Sequence, residues 1–195
     1  MRLLLPLLLL TALLGGCSLT PSQQLGPTLT IDPEQAQQLQ QWSAEGRIGI
    51  RWTEDSQSAN LDWEQNLDRY QIRLSGPLGQ GGLRITGSDQ SVTLQRSGDD
   101  QTHQAPTPEA LMQQLLGWHL PLTQAQYWIR GIPAPDTQAH PLTGPVTGFI
   151  QSGWQIEYTR LTQAIGRVLP EKLRLSRDDL RITVIINTWA QPDAP

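Results

Sequence analysis

The sequence predicts an α+β domain in which a strongly curved antiparallel sheet carries helices on its concave face. Two stretches, residues 47–94 and 146–188, alternate apolar and polar side chains with a period of two, which is typical of half-buried strands. Between them, apolar residues recur at helical spacing. Short turns favour an antiparallel meander, and helices inserted between two strand runs favour the α+β class.

The N-terminal segment, residues 1–16, is typical of an export signal. Arg2 supplies a short positive start, and residues 3–14 are mainly apolar. This run is too short to cross a membrane, which takes about 20 apolar residues. It ends in Leu-Gly-Gly-Cys at Cys17, the sole cysteine, and this ending resembles a bacterial lipobox. The resemblance implies acylation of Cys17 after cleavage; the alternative is an ordinary secretory signal.

An acylated Cys17 predicts a protein that works outside the cytoplasm while tethered to a membrane. Stable anchoring takes two lipid chains, so the three chains of such an anchor are sufficient. Ser18 follows the cysteine, and by resemblance to lipoproteins of Gram-negative bacteria it implies sorting to the outer membrane. Residues 17–31 are rich in Ser, Thr, Pro, Gln and Gly, which predicts a flexible tether. A single domain then spans residues 32–195.

The first element of the domain is predicted to be a helix over residues 33–44. Asp32 is a suitable N-cap, and Pro33 occupies the first helical position. Strands follow over five segments: residues 47–52, 59–64, 70–74, 83–85 and 92–94.

Helical sequence returns after Thr107, where Pro108 and Glu109 predict a second helix that ends near Trp118, followed by a third over residues 123–130. Four strands complete the domain: residues 146–151, 154–159, 172–176 and 180–188. We expect the last two to form a hairpin around Arg177 and Asp178. The aromatic-rich space between sheet and helices is a candidate cavity for an apolar ligand.

Composition narrows the range of partners. The formal net charge is −4, and basic residues stand singly along the chain, which argues against nucleic acid or an anionic lipid surface as an electrostatic partner. With Cys17 acylated, no thiol remains for a disulfide. Seven tryptophans against one phenylalanine is the unusual feature. We expect a monomer.

The sequence carries no familiar motif for catalysis, for a cofactor or for a metal. The sequence contains no Gly-x-Ser-x-Gly, no phosphate-binding loop and no His-Glu-x-x-His. His103, His119 and His140 lack metal-ligand spacing. Asp178 and Asp179 are better explained by a hairpin turn than by paired catalytic carboxylates. The sequence therefore predicts no enzyme, no cofactor and no metal.

The loop of residues 76–82 is the most informative one. Its Gly-Pro-Leu-Gly start suits a type I turn, which places Leu78 near the tip, where a polar residue is usual. Leu78 either folds back onto the core or contacts a lipid surface, and single-sequence physics favours the core.

Several segments, in their order along the chain, resemble the LolB family. They are the lipobox with its polar tether, the first helix, Pro77-Leu78-Gly79, the helix over residues 109–117, Trp128-Ile129-Arg130-Gly131-Ile132-Pro133, the Trp154 strand and the terminal strand over residues 182–189. The resemblance implies an open half-barrel with a helical lid, no enzymatic activity, and a protein that accepts lipoproteins from the periplasmic carrier LolA and inserts them into the outer membrane. It also implies that Pro77, Leu78 and Gly79 form a membrane-insertion loop, which reverses the preference for the core.

Inward-facing apolar residues are the candidates for lining an acyl-chain cavity, with ordinary core packing as the alternative for each. They are Ile50, Trp52, Leu61, Trp63, Ile72, Leu74, Leu83, Ile85 and Leu94 from the strands, and Leu115, Leu116 and Trp128 from the helices. Two other functions stay open at this point: an accessory lipoprotein of an envelope assembly, and a lipid or glycan hydrolase.

Overall fold

The computed structural model describes residues 29–53, 55–76, 81–88, 91–99, 101–116 and 120–191. Three helices and eleven strands occur in this part of the chain. In order they are α1 (Pro33–Gln38), β1 (Gln41–Trp52), β2 (Asp55–Asn66), β3 (Arg69–Ser75), β4 (Gly82–Gly87), β5 (Val92–Arg96), β6 (Thr102–Ala105), α2 (Pro108–Leu116), α3 (Leu122–Trp128), β7 (Ala139–Pro141), β8 (Thr147–Gln151), β9 (Trp154–Ala164), β10 (Arg167–Arg177) and β11 (Leu180–Ala190).

All eleven strands form one antiparallel sheet in the order β6-β5-β4-β3-β2-β1-β11-β10-β9-β8-β7. The first strand pairs with the last, so the two strand runs of the sequence meet at the centre of the sheet. The edge strands β6 and β7 are short and do not pair with each other, so the sheet stays open. The predicted α+β class with an open antiparallel sheet and a few covering helices is confirmed.

The helices lie on the inner face of the sheet, and the core fills the space between. Alternate residues of the strands point inward, as in β11, where Ile182, Val184 and Ile186 are buried. Tryptophans provide much of the core volume: the Trp42 ring lies 5.4 Å from the rings of both Trp63 and Trp189. Such tilted and edge-on pairs stabilise a core by about 0.5–1.5 kcal/mol beyond the area they bury.

The predicted extent of the first helix is wrong. Asp32 caps α1 as expected, with Oδ1 accepting from the amide of Glu34 at 3.0 Å, but the helix ends at Gln38. Residues from Gln41 onward belong to β1, in which Trp42 and Ala44 are buried. These positions pair with β2 and, at Ala44, also with β11. Backbone pairing on both sides, with burial of a tryptophan, outweighs the helix start signal.

Gly46 explains why a strand can continue through this segment. The register between β1 and β11 shifts between Glu45 and Gly46, which marks a β-bulge. A Cβ atom at residue 46 would collide with the carbonyl oxygen of Ile185. Glycine is therefore required where the two central strands approach each other, and the extra residue on β11, Asn187, lets both Ile186 and Trp189 lie on the buried face.

The other predicted elements are confirmed, with β9 and β10 longer than expected. Strands β6 and β7 were not predicted. The hairpin between β10 and β11 turns at Asp178, which has a positive φ of 53°, so the turn interpretation of Asp178 and Asp179 is confirmed. No helix within the described ranges is long and apolar enough to cross a membrane.

Candidate apolar binding site

A wholly apolar pocket lies between the inner face of the sheet and the helices α2 and α3. Its lining residues come from β1–β4, β10, β11, both helices and the adjoining segments. They are Ile48, Leu61, Trp63, Ile72, Leu74, Ile85, Met112, Leu120, Leu122, Ala125, Trp128, Ile129, Leu173, Leu175 and Val184. Every side chain in the set is a hydrocarbon, a thioether or a tryptophan ring.

The pocket is almost closed in this conformation. Its cavity volume is ≈ 50 Å³. A water molecule occupies about 30 Å³ of liquid, and ligand pockets in proteins typically measure about 300–1,000 Å³. An acyl chain therefore fits here only after part of the lining moves outward.

Half of the twelve cavity candidates line this pocket: Leu61, Trp63, Ile72, Leu74, Ile85 and Trp128. Ile50 and Leu94 are buried in the core away from it, and Trp52 and Leu83 pack half-buried against that core. The side chains of Leu115 and Leu116 fall outside the described residues.

Sequence reasoning missed nine lining residues. Leu173, Leu175 and Val184 lie on predicted strands, β10 and β11. Their alternation with polar residues indicates that they are buried, but it points to the pocket only if both strands are known to border the concave face. Met112, Leu122 and Ala125 lie on α2 and α3, where helical spacing marks the buried stripe but not the part of it that borders a void. The remaining three are Ile48, Leu120 and Ile129.

Gln151 connects the end of α3 to the sheet by hydrogen bonds. This buried glutamine on β8 accepts a hydrogen bond at Oε1 from Trp128 Nε1 at 2.7 Å and from the amide of Ala134 at 2.9 Å. Its Nε2 donates to the carbonyls of Ala134 at 2.9 Å and Thr137 at 2.6 Å. From β9, Tyr158 donates its hydroxyl hydrogen to the Trp128 carbonyl at 2.9 Å. All four donors and acceptors of the Gln151 amide are engaged within the fold.

In the same region, Arg130 connects the end of α3 to α1 by hydrogen bonds. Its guanidinium is buried and donates from Nη1 to the carbonyls of Ala36 at 3.1 Å and Leu39 at 2.8 Å, at the C-terminal end of α1. Nε donates to the carbonyl of Gln126 at 2.9 Å, and the Tyr127 ring lies 4.9 Å from the guanidinium carbon. Burial lowers the pKa of Arg130. The negative end of the α1 dipole favours a cation at this position.

Helix α2 has a different set of contacts. Leu111 and Met112 are buried in the core cluster. Among the described side chains of α2, hydrogen bonds to another element are accepted by the Glu109 carboxylate, from the Thr123 hydroxyl at 3.2 Å and the Thr123 amide at 3.5 Å. These bonds join α2 to α3 and not to the sheet. Toward the sheet, the buried contacts of Leu111 and Met112 are apolar, and the Glu109 carboxylate acts on Tyr70 of β3 through its charge.

Two buried tyrosine hydroxyls differ in their partners. Burial raises the pKa of Tyr158 well above its ordinary value. Burial also raises the pKa of Tyr70, and the nearby Glu109 carboxylate adds to this. The Tyr158 hydroxyl has a partner in the Trp128 carbonyl, whereas the Tyr70 hydroxyl has none within the described structure.

The lipid-anchor residue Cys17 and the loop residues Pro77, Leu78 and Gly79 lie outside the described residues. The root of the loop is described: Ser75 pairs with Gly82, and Ser75 also pairs with Asn60 on β2. Ser75 and Gly82 lie at the ends of β3 and β4 that are nearer to the β1–β2 and β10–β11 hairpins.

The histidines do not form a metal site in the described part of the chain, where no group of three potential ligands occurs. His103 lies on β6 and His140 on β7, at opposite edges of the sheet. His119 lies outside the described residues.

The chain is similar in sequence to proteins of one known family. The family model described as outer membrane lipoprotein LolB matches residues 40–189. A protein of Pseudomonas paraeruginosa named outer-membrane lipoprotein LolB is 43% identical over 188 residues, which is 91% of each chain. One of the same name from Chromohalobacter salexigens is 40% identical over 192 residues, covering 93% of this chain and 87% of that one.

Among solved structures, a LolA superfamily protein from Nitrosomonas europaea superposes with a TM-score of 0.50 at 6% identity, over 85% of this chain and 96% of its own. A DUF1329 family protein from Desulfovibrio piger gives a TM-score of 0.54 at 6% identity, over 84% and 91%. These two support the fold alone. On the family model and its relatives, the chain belongs to the LolB family of outer-membrane lipoproteins.

Proposed function

We propose that this chain accepts lipoproteins from the periplasmic carrier LolA by enclosing their acyl chains beneath its helices, and then inserts them into the outer membrane. The observation that carries the proposal is the wholly apolar pocket between helices and sheet in a chain of the LolB family. An apolar lining without a charged or polar group suits a hydrocarbon chain and leaves nothing to perform a reaction.

Entry of an acyl chain requires the pocket to expand, and α2 is the element that we propose moves. Its buried side chains Leu111 and Met112 make apolar contacts, which an acyl chain can replace with contacts of the same kind. Displacing α3 would instead break the bonds from Gln151, Tyr158 and Arg130. A buried polar group left without a partner costs about 1–3 kcal/mol.

No cofactor is required in this scheme, because transfer runs from the weaker binder to the stronger one. Each 1.4 kcal/mol of difference in acyl-chain affinity shifts the partition about tenfold. The chain belongs to the LolB family, and this membership favours neither the hydrolase alternative nor an accessory structural role.

The membrane contacts belong to the same proposal. Cys17 carries the lipid anchor, residues 17–31 form the tether, and Leu78 with Pro77 and Gly79 enters the lipid surface during delivery. Burial of one leucine contributes about 1.5–3 kcal/mol, which allows contact and release but not permanent attachment. We further propose that the domain is monomeric and that nucleic acid is not a partner, consistent with the formal net charge of −4.

A handover assay tests the acceptor role. Carrier loaded with a lipoprotein is mixed with the chain, nucleotide is omitted, and the protein that retains the lipoprotein is identified by co-purification. Recovery of the lipoprotein on this chain is the expected result. If the lipoprotein stays on the carrier while circular dichroism shows a folded domain, the acceptor role is wrong.

The role of Leu78 has its own test. Leu78→Glu is expected to leave acceptance from the carrier intact and to impair release into liposomes. Leu67→Glu is the matched control, because Leu67 is 54% exposed in the β2–β3 turn, at the opposite end of the sheet from the root of the loop. Equal delivery by Leu78→Glu and Leu67→Glu would contradict the proposed insertion loop.

A further inference from the structure

Three arginines that are far apart in sequence lie together on the outer face of the sheet. Arg51 on β1 is directly opposite Arg181 on β11. Arg174 on β10 faces Thr183, two residues along β11 from Arg181, and so lies diagonally beside it. We name Arg51, Arg174 and Arg181 the arginine cluster. All three are exposed.

The arginine cluster borders a groove that is also lined by hydroxyl and amide side chains. The groove has a volume of ≈ 620 Å³, and its other polar lining residues are Ser56, Gln57, Ser58 and Thr183. Guanidinium groups bind phosphate oxygens in a bidentate manner, and hydroxyl groups supply further donors. This set of side chains matches the chemistry of a phosphate group.

The cluster has no ion-pair partner in the part of the chain that the structure describes. Arg73, further along the same outer face, shows the alternative: it is paired with Asp62 at 2.6 Å and Glu64 at 3.1 Å. No carboxylate oxygen of a described residue lies within 4.0 Å of the nitrogens of Arg51, Arg174 or Arg181.

Two described carboxylates close to the cluster along the strands are engaged elsewhere. Asp179 accepts a hydrogen bond from the Thr53 hydroxyl at 2.6 Å, which lowers the pKa of Asp179. Glu157, opposite Arg174 on β9, accepts from Gln155 Nε2 at 2.6 Å. Like charges directly opposite each other on neighbouring strands destabilise a sheet. The Arg51–Arg181 pair therefore carries a cost that an external anion would remove.

The position of the arginine cluster in the fold indicates the source of that anion. Arg47 and Lys172 extend the positive surface by one more row, and that row continues through Asn60 and Ser75 to the root of the 76–81 loop. The arginine cluster lies beyond this row, at the same end of the sheet as the root residues Ser75 and Gly82. A membrane that the proposed insertion loop contacts would therefore lie at the end of the sheet that carries the cluster.

We propose that the arginine cluster binds the phosphate head groups of anionic phospholipids and orients the domain on the membrane that receives the lipoprotein. The inference rests on the proposed function, because it assigns the cluster to the delivery step. It also revises the expectation from sequence that an anionic lipid surface is not a partner. One basic residue near an anionic surface is worth about a fivefold change in binding.

The test uses the acylated chain anchored in vesicles. A fluorophore is attached at Asn60→Cys, which is exposed on the outer face of β2, and lipids that carry a quencher on the head group report contact with the membrane surface. Asn66→Cys is the matched reporter on the same strand and face, at the opposite end. Vesicles contain phosphatidylcholine alone or phosphatidylcholine mixed with phosphatidylglycerol.

The expected result is quenching at residue 60, not residue 66, that depends on phosphatidylglycerol and falls with added salt. Arg51→Gln/Arg181→Gln is expected to weaken this docking about 25-fold, at about fivefold for each arginine. Arg69→Gln/Arg84→Gln removes the same charge from exposed positions outside the cluster and should leave docking unchanged.

Two outcomes overturn the inference. One is quenching at residue 60 that is independent of phosphatidylglycerol or equal in the two double variants. The other is unchanged docking with weaker transfer from the carrier, which would assign the arginines to an acidic protein surface. Acceptance of lipoprotein from the carrier is measured on the same samples, so that a failure of the acceptor role is distinguished from a failure of head-group binding.

Discussion

Helices α2 and α3 both cover the inner face of the sheet, but they are held there by different forces. The end of α3 is joined to β8, β9 and α1 by buried hydrogen bonds that involve Gln151, Tyr158 and Arg130. Helix α2 meets the sheet through apolar side chains such as Leu111 and Met112, and its described side-chain hydrogen bonds to another element are the two that Glu109 accepts from Thr123.

The difference separates a fixed part of the lid from a displaceable part. Hydrogen bonds are directional, and a buried group that loses its partner has no compensation without water. Apolar contacts are non-directional, so a hydrocarbon guest can substitute for them. A binding site for acyl chains needs both properties, because one wall must keep its shape while another yields. Variants at five positions test this comparison.

Gln151→Leu should have the largest effect, because it removes the buried link between α3 and the sheet. Trp128 Nε1 and the backbone groups of Ala134 lose their partners in a buried setting. At about 1–3 kcal/mol for each unpaired group, we expect a loss of about 4 kcal/mol in the free energy of unfolding. Urea denaturation measures it, with Gln163→Leu at an exposed position of β9 as the control. Equal stability of the two variants would show that α3 is not fixed by this network.

Arg130→Met should cost less, about 2 kcal/mol, because removing a buried charge offsets part of the loss. The carbonyls of Ala36 and Leu39 lose their donor, so the amides of α1 should exchange hydrogen faster than those of α3. Hydrogen exchange detected by mass spectrometry compares the two helices. Arg130→Lys keeps the charge with fewer donors and should give an intermediate value; uniform exchange across the domain would contradict a local clamp.

The two buried tyrosine hydroxyls test the same contrast between bonded and unbonded groups, with smaller expected changes in stability. Tyr158→Phe removes a bonded hydroxyl and should cost about 1 kcal/mol, whereas Tyr70→Phe removes a hydroxyl without a described partner and should be neutral or stabilising. Thermal unfolding of the two variants separates these expectations.

Alkaline pH gives a second readout of the same pair. Burial raises the pKa of both phenols in the folded state, so their contribution to stability is complete below the unfolded pKa of about 10 and is lost as the pH rises above it. Each Phe variant should therefore lose less stability than the parent chain between neutral and alkaline pH. An identical alkaline profile would contradict the raised pKa values.

Glu109→Ala should have a small effect on stability, about 0.5 kcal/mol, because the Thr123 bond lies at the surface and the helix-terminal charge is screened. Its effect on motion should be larger than its effect on stability. Amide exchange in α2 should accelerate while α3 stays protected, and acyl-chain uptake should not slow. Protection of α2 equal to that of α3 in the parent chain would remove the distinction between the two helices.

Much of the fold could be predicted because alternation is a local property of the chain. In the strands around Leu61, Ile72 and Val184, the alternation of apolar and polar residues predicts which face is buried. The residue types around Asp178 are typical of a turn, and a turn occurs there. The first helix was predicted too long because the start signal at Asp32 is local, whereas the pairing of Ala44 with β2 and β11 is not.

The pocket could be predicted only in part, for a related reason. Periodicity tells which side of a strand is buried, so Trp63 and Ile85 were expected inside, as were Ile50 and Leu94. Whether an inward side chain borders a void or a packed neighbour depends on the element across the core. That information is not present in any one strand.

The sequence by itself determined most of the secondary structure, the class of the fold and the family, because these depend on residue patterns that are continuous along the chain. Only the tertiary structure decided that α3 is fixed by Gln151 and Arg130, and that Arg51, Arg174 and Arg181 form one cluster. The reason is physical: hydrogen bonds and charge act over a few ångströms of space, and the fold brings together groups that more than a hundred residues of sequence separate.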